Sequence, residues 1–394
     1  MDRPDKKTID ELLSRRVNSI VGEKELRTKL ASGKPLRIKH GVDPTTPDLH
    51  LGYSVVYHKM REFQDLGHTV IFLIGDFTGR FGDPTNKNDV RQLRDAHDVR
   101  EMSEHYIKQV LTILDPKKTE IRYNSEWYDK MSAEDIIRLM SHFTHAQLIE
   151  RDMFQQRIKK HKEIGLHEPL YPVLQGYDSV MLESDVTIIG TDQTFNEMRG
   201  RDLQKDFGQE PQAIISVPLL IGLDGKQKMS QSLGNYIGIT ESPDEQYGKI
   251  MSLPDDQIYT YFELATSVPT SDLPAIKVAA KKEPRDTKAR LAYEIVKIYH
   301  GEAAAKKAED NFVGIFKKGR TPDDISEIKI KKATRLVDIM AKYNLASSKS
   351  EARRLIEQRG VRINHHIVSD PNLIVENEPG TIIQVGKRHF IQLG

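Results

Sequence analysis

The sequence predicts an α/β fold in which a parallel-sheet domain is followed by a helical domain and then a small α+β unit. Three observations carry this. Short apolar runs alternate with helix-length segments up to about residue 220, the pattern of strands joined by crossover helices. Residues 243–318 are helix-like throughout and hold no strand-like run. A Pro/Asp/Lys-rich stretch then leads into a basic helix-then-strand segment. The expected boundaries are 1–242 for the sheet domain, 243–318 for the helical domain, 319–332 for a linker and 333–394 for the last unit.

In order, residues 8–30 read as a helix, with acids early and bases late. Residues 36–42 read as a strand ending in the turn segment Asp43-Pro44-Thr45-Thr46-Pro47. A helix follows at 53–66, stopped by Gly67. Residues 69–74 are a buried strand, and 75–83 a glycine-bearing loop. The alternation continues with a helix at 95–114, a strand at 120–123, helices through 133–162 and a helix at 170–182. The last three elements of the sheet domain are a strand at 186–189, a helix at 193–204 and a strand at 213–220.

Composition narrows the chemistry. The chain has 394 residues, a net charge of +1 and no cysteine. Disulfides, thiolate nucleophiles and cysteine-ligated zinc are excluded, and any basic patch must be local. The charged start lacks a signal or transit pattern, and no apolar run reaches the ~18 residues a membrane span needs. A cytoplasmic protein with no membrane partner and no protein-bound metal is expected.

Two segments point to phosphate chemistry. Between a strand and a helix lies Asp43-Pro44-Thr45-Thr46-Pro47-Asp48-Leu49-His50-Leu51-Gly52-Tyr53. A helix N-terminus offers unpaired N–H groups and partial positive charge to an anion. His50 can donate there, Gly52 allows close approach, and Tyr53 shares the face of His50. After a late strand comes Gly222-Leu223-Asp224-Gly225-Lys226-Gln227-Lys228-Met229-Ser230-Gln231-Ser232. A basic glycine-rich loop suits the charge that develops on a triphosphate. Alone, the first would equally be a capped helix with a buried histidine, and the second a solvated loop.

Two more segments point to a small polar ligand. Tyr171, Gln175 and Asp178 recur at i, i+4 and i+7, one face of a helix, flanked by Leu174, Val180 and Met181. Burying that polar stripe would be costly without partners, while a solvent-facing stripe would read the same. Gly190-Thr191-Asp192-Gln193 joins a strand to a helix, placing an acid where ribose hydroxyls bind or where a helix is capped.

The last unit is basic. From Lys331 to Asn364 nine bases stand against three acids, among them Arg335, Lys349, Arg353, Arg354, Arg359 and Arg362. Two short helices and a turn would present these cations to RNA phosphates.

His-x-Gly after the first strand and Lys-Met-Ser after the late one resemble the two signatures of class I aminoacyl-tRNA synthetases. The Tyr171/Gln175/Asp178 stripe, Gly190-Thr191-Asp192-Gln193 and the S4-like tail resemble, over nearly the whole chain, the bacterial-type tyrosyl-tRNA synthetases. The resemblance implies a Rossmann-like catalytic domain, a helical anticodon-recognition domain and an S4 RNA-binding domain. It implies activation of tyrosine by ATP with Mg2+ and transfer to tRNA, by a homodimer. By the same resemblance Asp178 accepts the substrate phenol, Lys39 stands where some members place a phenol-reading tyrosine, and Tyr171, Gln175 and Asp83 hold the ammonium. Gln193 lies near the carboxyl group, and Gly41, Asp43, His50, Gly52, Gly190, Asp192, Lys228, Met229 and Ser230 bind ATP. Thr45 and Lys87 match phosphate-side positions.

The chain departs from the family at four points. Tyr53 stands for the usual second histidine, Gln231 for a lysine, Lys39 for the tyrosine, and His365 for a glycine in the S4 turn. A diverged relative with weakened or altered activation, or an RNA-binding protein without catalysis, would carry such departures. The dimer contact is expected at 131–153, where Ile136, Ile137, Leu139, Met140, Phe143, Leu148, Ile149 and Met153 exceed one helix stripe.

Overall fold

Apolar strand segments buried on both faces assemble a sheet that needs helices above and below it. The computed structural model describes residues 3–44, 48–83, 95–318, 326–330, 333–346, 348–364, 366–386 and 389–394. Its central sheet has six strands: β1 (Ser19–Val21), β2 (Arg37–Val42), β3 (Thr69–Ile74), β4 (Thr119–Tyr123), β5 (Val186–Gly190) and β6 (Ala213–Val217). The order is β1-β6-β5-β2-β3-β4. β2 through β6 are parallel, and β1 closes the edge antiparallel to β6. The chain runs outward from β2 to β4, then returns to the other side of β2 to form β5 and β6. The strand order therefore reverses between β2 and β5, where open α/β sheets form a crevice at their carboxyl ends.

The expected helix over 8–30 is instead two helices, Lys6–Leu12 and Glu23–Ala31, separated by β1. The break is tertiary. Arg16 adopts a left-handed backbone, φ 58°. Arg15 donates to the main-chain carbonyls of Glu263 (3.2 Å), Thr266 (3.0 Å) and Val268 (2.6 Å). Arg16 donates to the carbonyl of Leu264 (2.8 Å) and pairs with Glu62. These carbonyls lie at the end of the helix Ile258–Ala265, where no intrahelical donor remains. Helix propensity between residues 13 and 18 yields to that clamp.

The clamp also bears on domain boundaries. The chain divides into two compact units, Met1–Glu302 and Ala303–Gly394. Helices Pro243–Met251, Ile258–Ala265, Leu273–Lys282 and Pro284–His300 thus pack with the sheet domain, where the sequence suggested a break at 242. The helices expected over 133–162 are three short ones, Ala133–Met140, His145–Ile149 and Asp152–Lys159.

In the second unit, helices Leu336–Lys342 and Lys349–Glu357 cover a five-stranded sheet. Leu336, Met340, Ala352, Ile356, Val361, Ile383 and Leu393 form its core. Of the expected linker, 319–325 and 331–332 lie outside the described residues. Ser326–Ile328 is a strand, parallel to His389–Leu393, because Ile328 buries itself in the core. No helix among the described residues is long and apolar enough to cross a membrane.

Replacing Arg16 by Ala should cost about 3 kcal/mol, since it strips buried carbonyls of their donor and Glu62 of a partner. Urea unfolding measures it; a loss below about 1 kcal/mol would mean that the clamp does not hold the helices to the sheet domain.

Candidate active site

At the carboxyl ends of β2 and β5 lies a cavity of about 650 Å³. Its walls hold Lys39, Gly41, Asp43, His50, Gly52, Tyr53, Asp83, Tyr171, Gln175, Asp178, Gly190, Asp192, Gln193, Lys228, Met229 and Ser230, sixteen of the residues singled out from sequence. Thr45, Lys87 and His365 lie outside the described residues.

One wall is the start of the helix Leu51–Asp65. His50 is its N-cap, an uncommon residue there, and its Nδ1 accepts the Gly52 N–H at 3.1 Å. A Cβ on Gly52 would stand 2.9 Å from the His50 ring, so this contact requires glycine. Burial, aided by the charge of Lys228, pushes the imidazole pKa down to about 4. The ring is therefore neutral at neutral pH, with its proton on Nε2, a donor rather than a cation. The Tyr53 ring lies 4.4 Å from that of His50.

The adjoining wall is the lysine-bearing loop, and side chains of the loop itself shape it. Asp224 accepts the N–H groups of Lys226 (2.9 Å) and Gln227 (3.0 Å). Asn235 donates to Asp224 (2.9 Å) and to the Lys228 carbonyl (3.2 Å), and accepts the Ser230 N–H at 2.8 Å. Lys228, Met229 and Ser230 reach the cavity, whereas Gln231 does not line it. Its amide donates to the Asp48 carbonyl at 2.7 Å, latching the loop to the segment before His50.

The floor is a polar network. The helix Tyr171–Met181 presents Tyr171, Gln175 and Asp178 on one face, as their spacing predicts. It packs so closely on the helix Thr194–Asp206 that a Cβ on Gly176 would stand 2.9 Å from the backbone of Arg199 and Gly200. Tyr171 donates to Asp43 at 2.9 Å. Asp178 accepts from Trp127 Nε1 at 3.1 Å and Asn124 Nδ2 at 3.4 Å. Burial pushes the Asp178 carboxyl up to about 7, against the opposing pull of the Lys39 charge and of these hydrogen bonds. Gln193 donates to Asp83 at 2.7 Å, and Asn196 donates to both Gln193 (3.0 Å) and Gln175 (2.8 Å).

Asp192 and Gly190 stand at the mouth, where Arg151 donates to the Asp192 carbonyl at 3.3 Å. Sequence reasoning missed His40, Asn124, Trp127, Asn196 and Glu197. His40 lines the cavity with Nδ1 2.7 Å from the Ile188 carbonyl, and burial lowers its pKa to about 4. A signal existed for two others: Gln193, Asn196 and Glu197 fall at i, i+3 and i+4 of one helix. In the second unit, Arg335, Lys349, Arg353, Arg354, Arg359 and Arg362 are all exposed, and Lys349 pairs with Asp338 at 2.7 Å.

Comparison with known proteins assigns the family and the fold. The model for tRNA synthetases class I (W and Y) matches residues 31–317, and the S4 domain model matches residues 334–383. The tyrosine–tRNA ligase of Moorella thermoacetica is 48% identical over 390 residues, covering 97% of this chain and 94% of its own. That of Thermotoga maritima is 45% identical over 385 residues, covering 97% and 96%. In fold, a C-terminally truncated mitochondrial tyrosyl-tRNA synthetase from Aspergillus nidulans superposes with a TM-score of 0.68 at 21% identity, over 79% of this chain and 95% of that one. The tyrosyl-tRNA synthetase of Archaeoglobus fulgidus, complexed with L-tyrosine, gives 0.61 at 20%, over 77% and 99%. The chain belongs to the class I tRNA synthetase family that comprises the tryptophan and tyrosine enzymes.

Proposed function

We propose that this chain is a tyrosine–tRNA ligase that activates L-tyrosine with ATP and transfers it to tRNA. One observation carries the choice of amino acid: Asp178 lies at the cavity floor, on the helix face it shares with Tyr171 and Gln175. A carboxylate there accepts a phenol hydrogen beside those it takes from Trp127 and Asn124, and phenylalanine would leave that further acceptor position buried without a donor. Tyr171, Gln175, Asp83 and Gln193 then take the ammonium and carboxyl end.

The tyrosine carboxylate attacks the α-phosphorus of Mg-ATP in line, and pyrophosphate leaves. No protein nucleophile takes part. His50 donates from Nε2, and Lys228 and the N–H groups at the start of the Leu51–Asp65 helix oppose charge developing on the phosphates. Gly190 and Asp192 hold the ribose. The terminal ribose hydroxyl of tRNA then attacks the adenylate carbonyl and releases AMP. The helices from Pro243 to Lys318 would read the anticodon, and the S4 unit would grip RNA through its exposed arginines.

The chain would act as a homodimer. Leu139 and Leu148 are buried in the chain's own core, but Ile137 is 64% exposed, and Ile136, Met140, Phe143, Ile149 and Met153 are only half-buried. An apolar surface of this extent fits a symmetric interface. Sedimentation at micromolar protein should give twice 45.0 kDa; a single species of that mass with full charging activity would rule the dimer out.

A second reading rests on Tyr53 and Gln231. Both stand where the family carries a cation or a second histidine, and a chain that had lost activation would keep the S4 unit alone in use. Tyrosine-dependent ATP–pyrophosphate exchange separates the two. On the first reading, kcat/KM for tyrosine should climb as pH rises through about 7, because the ionised Asp178 carboxylate accepts the phenol more strongly than the neutral acid does. The Asp178→Asn variant should lack that limb and lose much of its preference over phenylalanine, because a neutral amide oxygen accepts less strongly than a carboxylate. Absence of exchange would favour the second reading, and a wild-type profile flat between about pH 5.5 and about pH 8 would remove Asp178 from its role.

Charge reversal at Arg353 and Arg359 should spare exchange and weaken tRNA charging about tenfold or more at moderate salt. The salt slope of tRNA binding should shrink as well. Charging that is untouched by both changes would place the RNA contacts elsewhere.

A further inference from the structure

The cavity floor holds a charged pair that the proposed chemistry does not use. Lys39 on β2 and Glu197 on the helix Thr194–Asp206 have side chains 1% and 2% exposed, with Nζ 3.0 Å from Oε2 and 3.2 Å from Oε1. Two ions withdrawn from water lose more hydration than their attraction returns unless their other hydrogen bonds are made as well. Here they are made. Glu197 Oε1 also accepts Gln175 Nε2 at 2.9 Å, and Oε2 accepts Gln212 Nε2 at 2.9 Å. Lys39 also donates to Ser179 Oγ at 2.7 Å. The pair thus touches the Tyr171–Met181 helix at Gln175 and at Ser179, on both sides of Asp178.

Two consequences follow from donor and acceptor chemistry. A carboxylate only accepts, so Glu197 forces the amide nitrogen of Gln175 toward itself and the amide oxygen away. That oxygen takes one hydrogen bond from Asn196 at 2.8 Å and keeps a second lone pair for a substrate ammonium. Glu197 is also the counter-ion of Lys39. Without it, a buried ammonium would seek another carboxylate, and the charge of Lys39 already acts on Asp178.

We propose that Glu197 is a positioning residue for the amino-acid substrate: it turns the Gln175 amide oxygen toward the ammonium, and it holds Lys39 so that Asp178 stays open to the phenol. This rests on the reading of the cavity as a tyrosine site. Neither effect reaches the triphosphate end, so tyrosine and ATP should respond differently.

The Glu197→Gln variant keeps the shape, removes the charge and sets a donor against the donors of Gln175 and Gln212. In ATP–pyrophosphate exchange, its KM for tyrosine should rise about tenfold or more, while its KM for ATP and its kcat stay within about threefold of the wild type. A role confined to stability would instead lower the active fraction and leave both KM values in place. If Glu197→Gln does not fold, the double variant Lys39→Met/Glu197→Leu removes both ions together. It should still show a raised KM for tyrosine beside an unchanged KM for ATP, because Gln175 has lost its anchor. An inactive wild type would refute the tyrosine reading itself. An active wild type with the KM for tyrosine unmoved in either variant, or with both KM values raised equally, would overturn the positioning role alone.

Discussion

Between β2 and β5 the sheet reverses its strand order, so the connections on either side carry the chain in opposite directions along the sheet. A crevice opens where the two connections part. Asp43 and His50 follow β2, Gly190 ends β5 and Asp192 and Gln193 follow it, so residues about 150 positions apart meet across one gap. The Lys228 loop follows β6, the next strand over, and reaches the same gap from the side. The helix Tyr171–Met181 leads into β5 and brings its polar face beneath the crevice. None of these segments could form a site without the reversal.

The two ends of the cavity are built differently, and the difference suits what each would bind. At the floor the polar side chains hold one another: a chain of hydrogen bonds runs from Asp83 through Gln193, Asn196, Gln175 and Glu197 to Lys39. In a low-dielectric interior such a network fixes orientation and penalises any ligand that leaves a member unpaired. That is what discrimination by one hydroxyl requires. At the other end Lys228 is exposed and His50 is neutral, so donors face open space. A triphosphate brings its own charge and counter-ion and needs attraction more than shape.

How far the sequence foretold this depends on whether the decisive contacts are local. The Tyr171/Gln175/Asp178 stripe was legible because helical periodicity alone places those side chains together. The two phosphate-side segments were legible because each lies at the junction of a strand with a helix or loop. β1 was not, since what breaks the first helix is a pair of guanidinium groups binding carbonyls roughly 250 residues away, and no local propensity records that. The packing of the helices after 242 with the sheet domain was not legible for the same reason: a change from mixed to all-helical composition marks a change of architecture, not a loss of packing. Asn124 and Trp127, which satisfy Asp178, sit just beyond β4 and are unremarkable as sequence.

The departures at Lys39 and Gln231 acquire a common physical sense from these contacts. Lys39 adds a positive charge to the cavity floor, and Glu197 cancels it in place, so the pair adds no net charge there. Gln231 puts a neutral amide where the family has a cation, and its hydrogen bond goes to the Asp48 carbonyl rather than into the cavity. Among the described residues that line the cavity, Lys39 and Lys228 are the two lysines, and Lys39 is neutralised. The field at the His50 end of the cavity therefore depends heavily on Lys228, whose backbone is fixed through Asn235 and whose loop is tied down by Gln231. A neutral hydrogen bond opposes developing charge less strongly than a cation does. What it supplies here is position: a loop latched against the start of the Leu51–Asp65 helix keeps Lys228 beside His50, where the charge of the lysine is already strong enough to help hold the imidazole neutral.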